Sequence, residues 1–409
     1  MHPDSYQEQA AHYLFNTYAR YAITLMKGEG AFVWDSQGKK YLDFLCGIGC
    51  TPLGHCHPAL TQAVIEQVKK IWHTSNLYYS PPNIELAQCL VEAGGLDKVF
   101  FCNSGAEANE AAIKLVRKYH WRRGDKHKNV ILSAAHSFHG RTFGALAATA
   151  KPEIHEGFGP LPQGFKYQSW QDTDAFCQAI DDSVAAVMLE PIQGEGGIHI
   201  PAPGFLKAVR AACEKQGALL IFDEVQCGMG RTGELFAYQH AGVIPDVITL
   251  AKGIANGLPL GAVCAKADVA NALKPGDHGT TFGGNPVSCV AALATIQILK
   301  QPSFLARLKQ LSAYLAKQLH QLQKQHPDQL LAIRGTGMMI GLELASHPRE
   351  ILQQCQQAGL LANITANHIL RLLPPFIINE ADIDFAVNVI ADSLKKAITL
   401  KDGVAYDKK

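Results

Sequence analysis

The strongest constraint on the fold is a series of short, almost unbroken apolar runs set between stretches of helical spacing. The runs are KVFFC (98–102), NVILS (129–133), VAAVML (184–189), ALLIF (218–222), DVITL (246–250) and GAVCA (261–265). A strand with one face in water alternates apolar and polar residues, whereas a strand covered by helices on both faces does not. Between most of these runs lie stretches such as 106–120 and 204–216, whose apolar residues recur at helical spacing. Alternating strands and helices imply parallel crossovers, so the pattern predicts an α/β chain with a large, doubly wound, mostly parallel sheet.

In such a sheet, ligands bind beyond the carboxyl ends of the strands. Two successive runs, ALLIF and DVITL, lead into a charge. ALLIF runs into Asp223, Glu224, Val225 and Gln226, and DVITL runs through Ala251 into Lys252 and Gly253, 29 residues after Asp223. Burying either charge is costly unless it is paired or used. In one reading Lys252 snorkels to the surface and Asp223 caps a helix or forms an ion pair. In the other, a desolvated lysine with a lowered pKa is an amine nucleophile able to form a Schiff base with an aldehyde cofactor, while the carboxylate keeps a pyridinium nitrogen protonated. That second chemistry is the chemistry of pyridoxal phosphate.

Composition narrows the remaining classes. Lys plus Arg number 37 against 36 Asp plus Glu, so no global charge draws the chain to nucleic acid or to an anionic membrane. No apolar stretch approaches the roughly 18 residues of a spanning helix. The start, MHPDSYQEQA, does not read as a signal peptide. Eleven cysteines without a CxxC pair favour free thiols and a cytoplasmic location. GEGAFVWDSQGKKYLDF reads as a hairpin turning at Gln37-Gly38. From about 286 the pattern changes to a long helical region (286–325), IRGTGMMIGLEL, another helix, ILRLLPP and a closing helix at 380–398. The expected division is an N-terminal segment, 1–56, packing with the small domain; a large α/β domain, 57–285; and a small α+β domain, 286–409.

Several loops carry candidate chemistry. After KVFFC, the residues Ser104, Gly105 and Ala106 open a helix, which is either a phosphate cradle of backbone N–H groups or an ordinary turn with Ser104 as N-cap. CGMGRTG (227–233) matches G-x-G-x-x-G but fails as a dinucleotide fingerprint, since DEVQC intervenes after the strand and no helix follows at once. In HSFHGRT, Phe138 is either core or a stacking partner for a flat ring, and Arg141 is either a carboxylate fork or a surface cation. His136 and His139 with Cys102 or His55 form no metal set of usual spacing. Glu195 in PIQGEGG and Arg371 in ILRLLPP would satisfy one another, although spacing does not decide it. In HGTTFGGNP a threonine hydroxyl is either a phosphate donor or a cap.

Taken in order from GEGAFVWDSQGKKYLDF and LGHCHPAL to RLLPP, these motifs resemble the class III pyridoxal-phosphate aminotransferases of fold type I, over nearly the whole chain. The resemblance implies that Lys252 carries pyridoxal 5'-phosphate, that Asp223 holds the pyridine nitrogen and that Gln226 meets the ring hydroxyl. It implies that Phe138 and Val225 enclose the ring, and that Gly105 and Ala106 beside Ser104 bind the phosphate. A homodimer is implied as well, with Thr281 reaching the cofactor of the partner subunit. The substrates implied are amino acids and 2-oxoglutarate. Arg141 would bind the carboxylate far from the reacting carbon, Arg371 the near carboxylate of glutamate, and Glu195 would shield Arg371 when an amine-terminal donor lacks that carboxylate. Ile48 stands where ornithine-specific members place a tyrosine, so an acylated donor such as N2-acetylornithine, or 4-aminobutyrate, is implied. Gly49, Cys50 and Pro52 depart from the usual pattern beside this wall. Rival readings are succinylated donors, an aminomutase, or a non-catalytic binding protein on the same scaffold.

Overall fold

The computed structural model describes residues 4–399, so the ends of the two outer segments, 1–3 and 400–409, lie outside the described residues. Near the N-terminus β1 (Leu25–Glu29), β2 (Phe32–Asp35) and β3 (Lys40–Asp43) form an antiparallel meander. The expected hairpin is β2–β3, and Asp35 Oδ1 fastens its turn by accepting the N–H groups of Gln37 and Lys39.

The large sheet contains β4 (Lys98–Cys102), β5 (Val130–Ala134), β6 (Phe165–Gln168), β7 (Val184–Leu189), β8 (Leu219–Asp223), β9 (Val247–Leu250) and β10 (Gly261–Ala265). Its order is β4-β10-β9-β8-β7-β5-β6. Every residue of β7, β8, β9 and β10 is buried, which is why those runs do not alternate. Neighbours from β6 across to β9 pair in parallel, as the sequence implies. The exception is β10, antiparallel to both β9 and β4. Only residues 251–260 join β9 to β10, too short for a crossover helix. The sequence reading also missed β6, a half-exposed edge strand, FKYQ, with no apolar run to betray it.

Two helices, Pro286–Leu299 and Pro302–Gln325, replace the single long region expected over 286–325, and they meet at 72°. Pro302 cannot continue the first helix and instead opens the second. Beyond them, β11 (Leu330–Thr336), β12 (Met339–Leu344), β14 (Asn363–Thr365) and β15 (Ile369–Leu372) form an antiparallel sheet ordered β11-β12-β15-β14. The two-residue β13 (Leu360–Leu361) instead pairs in parallel with β3, tying the N-terminal meander to the C-terminal part. The closing helix, Glu380–Thr399, packs on Pro302–Gln325 and Pro348–Gln357. Among the described residues no single helix is long and apolar enough to cross a membrane. All eleven cysteines are unbridged.

Candidate active site

Beyond the carboxyl ends of the parallel strands lies a cavity of about 400 Å³. Asp223 closes β8, Lys252 follows β9 by two residues, and β4 leads into the helix Gly105–Arg123. The loops after β5 and β7 bring in Phe138, Arg141 and Glu195, and Val225 and Gln226 follow Asp223. All of these residues line the cavity, with Ser104, Gly105 and Ala106. One topological feature, the strand end, thus gathers residues scattered from Ser104 to Lys252 in the sequence.

Asp223 is buried and heavily bonded. Its Oδ2 accepts from His139 Nδ1 at 2.8 Å and from Asn109 Nδ2 at 2.8 Å, and its Oδ1 accepts the Val225 N–H at 3.0 Å. Asn109 cannot flip, because a flip would turn its Oδ1 onto Asp223 Oδ2 and the His139 carbonyl, both acceptors, while its Oδ1 now accepts from Thr249 Oγ1 at 2.7 Å. The carboxylate is therefore fixed in direction as well as in place.

Lys252 opens a short 3-10 turn with a backbone φ of 47°, a left-handed conformation that costs a non-glycine residue energy. Its side chain is partly exposed and lines the cavity. Burial pushes the ammonium pKa down, and the Glu195 carboxylate only partly opposes this. A strained lysine whose charged form is disfavoured is suited to nucleophilic work rather than to a structural ion pair.

Arg371, in β15, is fully buried and pairs through Nη1 with Glu195 Oε1. The same nitrogen reaches Gln226 Oε1 at 3.2 Å, and Arg371 Nε donates to Asn363 Oδ1 at 3.1 Å. Burial raises the Glu195 pKa, but Arg371 and then Lys252 outweigh it and hold the carboxyl down to about 2. The structure thus makes the pair that spacing left open.

Ser104 is the N-cap, its Oγ accepting the Glu107 N–H at 3.2 Å. The N–H groups of Gly105 and Ala106, in the first turn, have no intrahelical acceptor. A Cβ on Gly105 would lie 2.8 Å from Val225 Cγ1, so only glycine allows this close approach. Arg141 is exposed at the rim, its guanidinium 5.6 Å from the Phe138 ring centroid. Among the described residues it makes no hydrogen bond, which leaves its fork available for an anion.

Two predicted positions stand apart from this cavity. Ile48 is 41% exposed and does not line it; Cys50, two residues on, does. Thr281 is exposed and lines a separate cleft with residues of the 73–84 segment. Sequence reasoning missed Asn109, Glu190 and His139 as supports of the site. Glu190 carried the same signal as Asp223, a carboxylate closing a wholly apolar strand. In CGMGRTG, Arg231 is buried and donates to the Met338 and Pro374 carbonyls, so the glycine-rich loop braces the β11–β12 turn against the segment after β15. No group of three or more candidate ligands for a metal exists among the described residues.

An amine, a carboxylate, an aromatic ring and a helix N-terminus whose first N–H groups lack intrahelical acceptors, all facing one cavity, form a donor set that fits pyridoxal phosphate. The chain matches the aminotransferase class-III family over residues 14–394. It is 49% identical over 385 residues to the acetylornithine aminotransferase of Caldanaerobacter subterraneus subsp. tengcongensis, covering 94% of this chain and 98% of that one. The structure is similar to that of ornithine aminotransferase from Toxoplasma gondii, with a TM-score of 0.94, 32% identity and coverage of 98% and 96%. It is similar also to N-acetylornithine aminotransferase from Stenotrophomonas maltophilia, with a TM-score of 0.83, 36% identity and coverage of 96% and 99%. The fold, the lysine-bearing cavity and these likenesses agree: the chain belongs to the class III aminotransferases, on the fold type I scaffold.

Proposed function

We propose that this chain binds pyridoxal 5'-phosphate on Lys252 and moves the terminal amine of N2-acetylornithine to 2-oxoglutarate, giving N-acetylglutamate 5-semialdehyde and glutamate, a step of arginine biosynthesis. The observation that carries this reading is the pair of arginines around one lysine: Arg141 open at the rim, and Arg371 closed by Glu195. Acetylornithine reacts at its side-chain amine and presents one distant carboxylate, which suits Arg141. Glutamate presents carboxylates both near and far, and needs Arg371 released. A swinging Glu195 serves both donors at one site.

The bound cofactor supplies an electron sink for the carbon that carries the amine. Lys252 Nζ would take the proton from that carbon as base and hand it, as acid, to the cofactor carbon that receives the amine. Asp223, fixed by His139 and Asn109, presents negative charge to the ring nitrogen. Phe138 and Val225 enclose the ring, Gln226 meets its hydroxyl, and Ser104, Gly105 and Ala106 meet the phosphate. The exposed Thr281 supports a homodimer in which the partner subunit's Thr281 completes that phosphate site. The β3–β13 pairing supports assigning 1–56 to the small domain with 286–409, around a large domain of 57–285. Unbridged thiols support a cytoplasmic location.

The test is glutamate formation from 2-oxoglutarate with acetylornithine, succinylornithine, ornithine and 4-aminobutyrate as donors. Acetylornithine is expected to give the highest kcat/KM; preference for 4-aminobutyrate or a succinylated donor would transfer the assignment to that substrate. A Glu195→Gln variant leaves Arg371 without its counter-charge. The expected result is a fall of roughly tenfold or more in kcat/KM for acetylornithine, the worth of one hydrogen bond to a charged group, with glutamate affected least. Equal losses for both donors would argue against a shielding role.

A further inference from the structure

Glu190, the residue after β7, is buried in the wall of the cavity, and no step above uses it. Its Oε1 accepts the Phe138 N–H at 3.0 Å, and its Oε2 accepts the Gly194 N–H at 2.9 Å. One carboxylate therefore joins the loop that carries the ring-facing Phe138 to the loop that carries Glu195. On the far side of Glu195, its carbonyl accepts from Lys151 Nζ and from Thr365 Oγ1, both at 3.0 Å. With the backbone held on both flanks, release of Arg371 is left to the Glu195 side chain alone. Both clamps must hold for that swing to begin from a fixed pivot.

We propose that Glu190 is a positioning residue that clamps the Phe138 and Glu195 loops together and so sets how readily Glu195 releases Arg371, that is, how the site divides its action between amine-terminal donors and glutamate. The inference rests on the reading of Glu195 and Arg371 given above. Each oxygen meets one N–H donor, so the ionised carboxylate is the stronger clamping form; a protonated carboxyl keeps one good acceptor and leaves the other N–H with only the weakly accepting hydroxyl oxygen. Burial pushes the Glu190 carboxyl up to about 7, His139 opposing and Asp223 adding to it. The titratable groups facing it are His139 from the loop after β5, Asp223 from β8, and Cys227 from the loop beyond. The clamp thus titrates within the working range of pH.

The experiment uses single-turnover half-reactions of the holoenzyme with acetylornithine and, separately, with glutamate, across the Glu190 titration. Lys252 and the cofactor are common to both, so their titrations cancel in the ratio of the two rates. The ratio is expected to change by about tenfold through an inflection near pH 7 in the parent enzyme, and to be flat in Glu190→Gln. A flat ratio in the parent, or an inflection that survives in Glu190→Gln, would overturn the proposal. Should that variant fold poorly, hydrogen exchange of the parent holoenzyme decides the matter without turnover. The Phe138 and Gly194 amides are expected to exchange faster below the titration than above it, after correction for intrinsic rates, and equal protection would count against the clamp. If the substrate assignment is wrong, the parent fails to react with acetylornithine, whereas the exchange result still judges Glu190.

Discussion

Replacing Lys252 with alanine is expected to abolish turnover, by at least about 10⁴-fold, because in the function proposed above one amine both anchors the cofactor and moves the proton. No second lysine lines the cavity among the described residues, so nothing stands in for it. The local backbone reinforces the point. Lys252 keeps its left-handed φ of 47° although asparagine or glycine would adopt it more cheaply, and Gly253 behind it packs against Pro52, where a Cβ would lie 3.3 Å from Cγ. Strain of this kind persists where the side chain is needed. Lys252→Arg is the sharper control, since it keeps the positive charge and much of the length but cannot supply a neutral amine. Both variants are expected to be inactive in the glutamate-formation assay and to lack the absorbance of cofactor attached through the lysine. Their melting should stay close to that of the parent without cofactor, because burial already disfavours the charged amine in the folded state. An active, coloured Lys252→Ala protein would refute the assignment.

The strand ends made most of this site legible before the structure. Asp223 and Lys252 stood out because each interrupts an apolar pattern that physics otherwise explains, and the structure brings them to one cavity. Sequence patterns fared worse wherever the deciding contact was remote or the strand was only half buried. Arg371 and Glu195 lie 176 positions apart, and no periodicity reports that distance. The reversed direction of β10 was readable in principle from the ten residues before it, yet apolar content alone does not give strand direction. The polar edge strand β6 offered no apolar signal at all. Ile48 drew attention by its place in a motif, but residues 47 and 48 adopt left-handed φ values, and Cys50 rather than Ile48 lines the cavity. Asn109 and His139 escaped notice for another reason: their importance lies in holding Asp223, and a supporting role leaves no mark on composition or spacing.

Asp223→Asn is expected to lower kcat by about 10³-fold while the protein stays folded, because the change removes one charge and breaks at least one of the three hydrogen bonds that fix the group. The carboxylate receives donors on both oxygens, from His139 and Asn109 on Oδ2 and from Val225 N–H on Oδ1. An asparagine has one acceptor and one NH₂ group, so in either orientation an N–H must face an N–H. Asn109 cannot relieve this by flipping, since that would set its Oδ1 against the His139 carbonyl, to which its Nδ2 now donates. His139 has no easy escape either: its Nε2 is buried without a partner among the described residues, so turning the ring would merely exchange one unsatisfied nitrogen for another. The loss therefore falls on the direction and charge of the group proposed to face the cofactor nitrogen, and KM for both substrates should change far less than kcat. Steady-state kinetics with acetylornithine and 2-oxoglutarate, read beside the melting temperature, separate the two effects. A variant within about tenfold of the parent in kcat would mean that residue 223 serves the network of His139 and Asn109 rather than the reaction, and the carboxylate's catalytic role would have to be withdrawn.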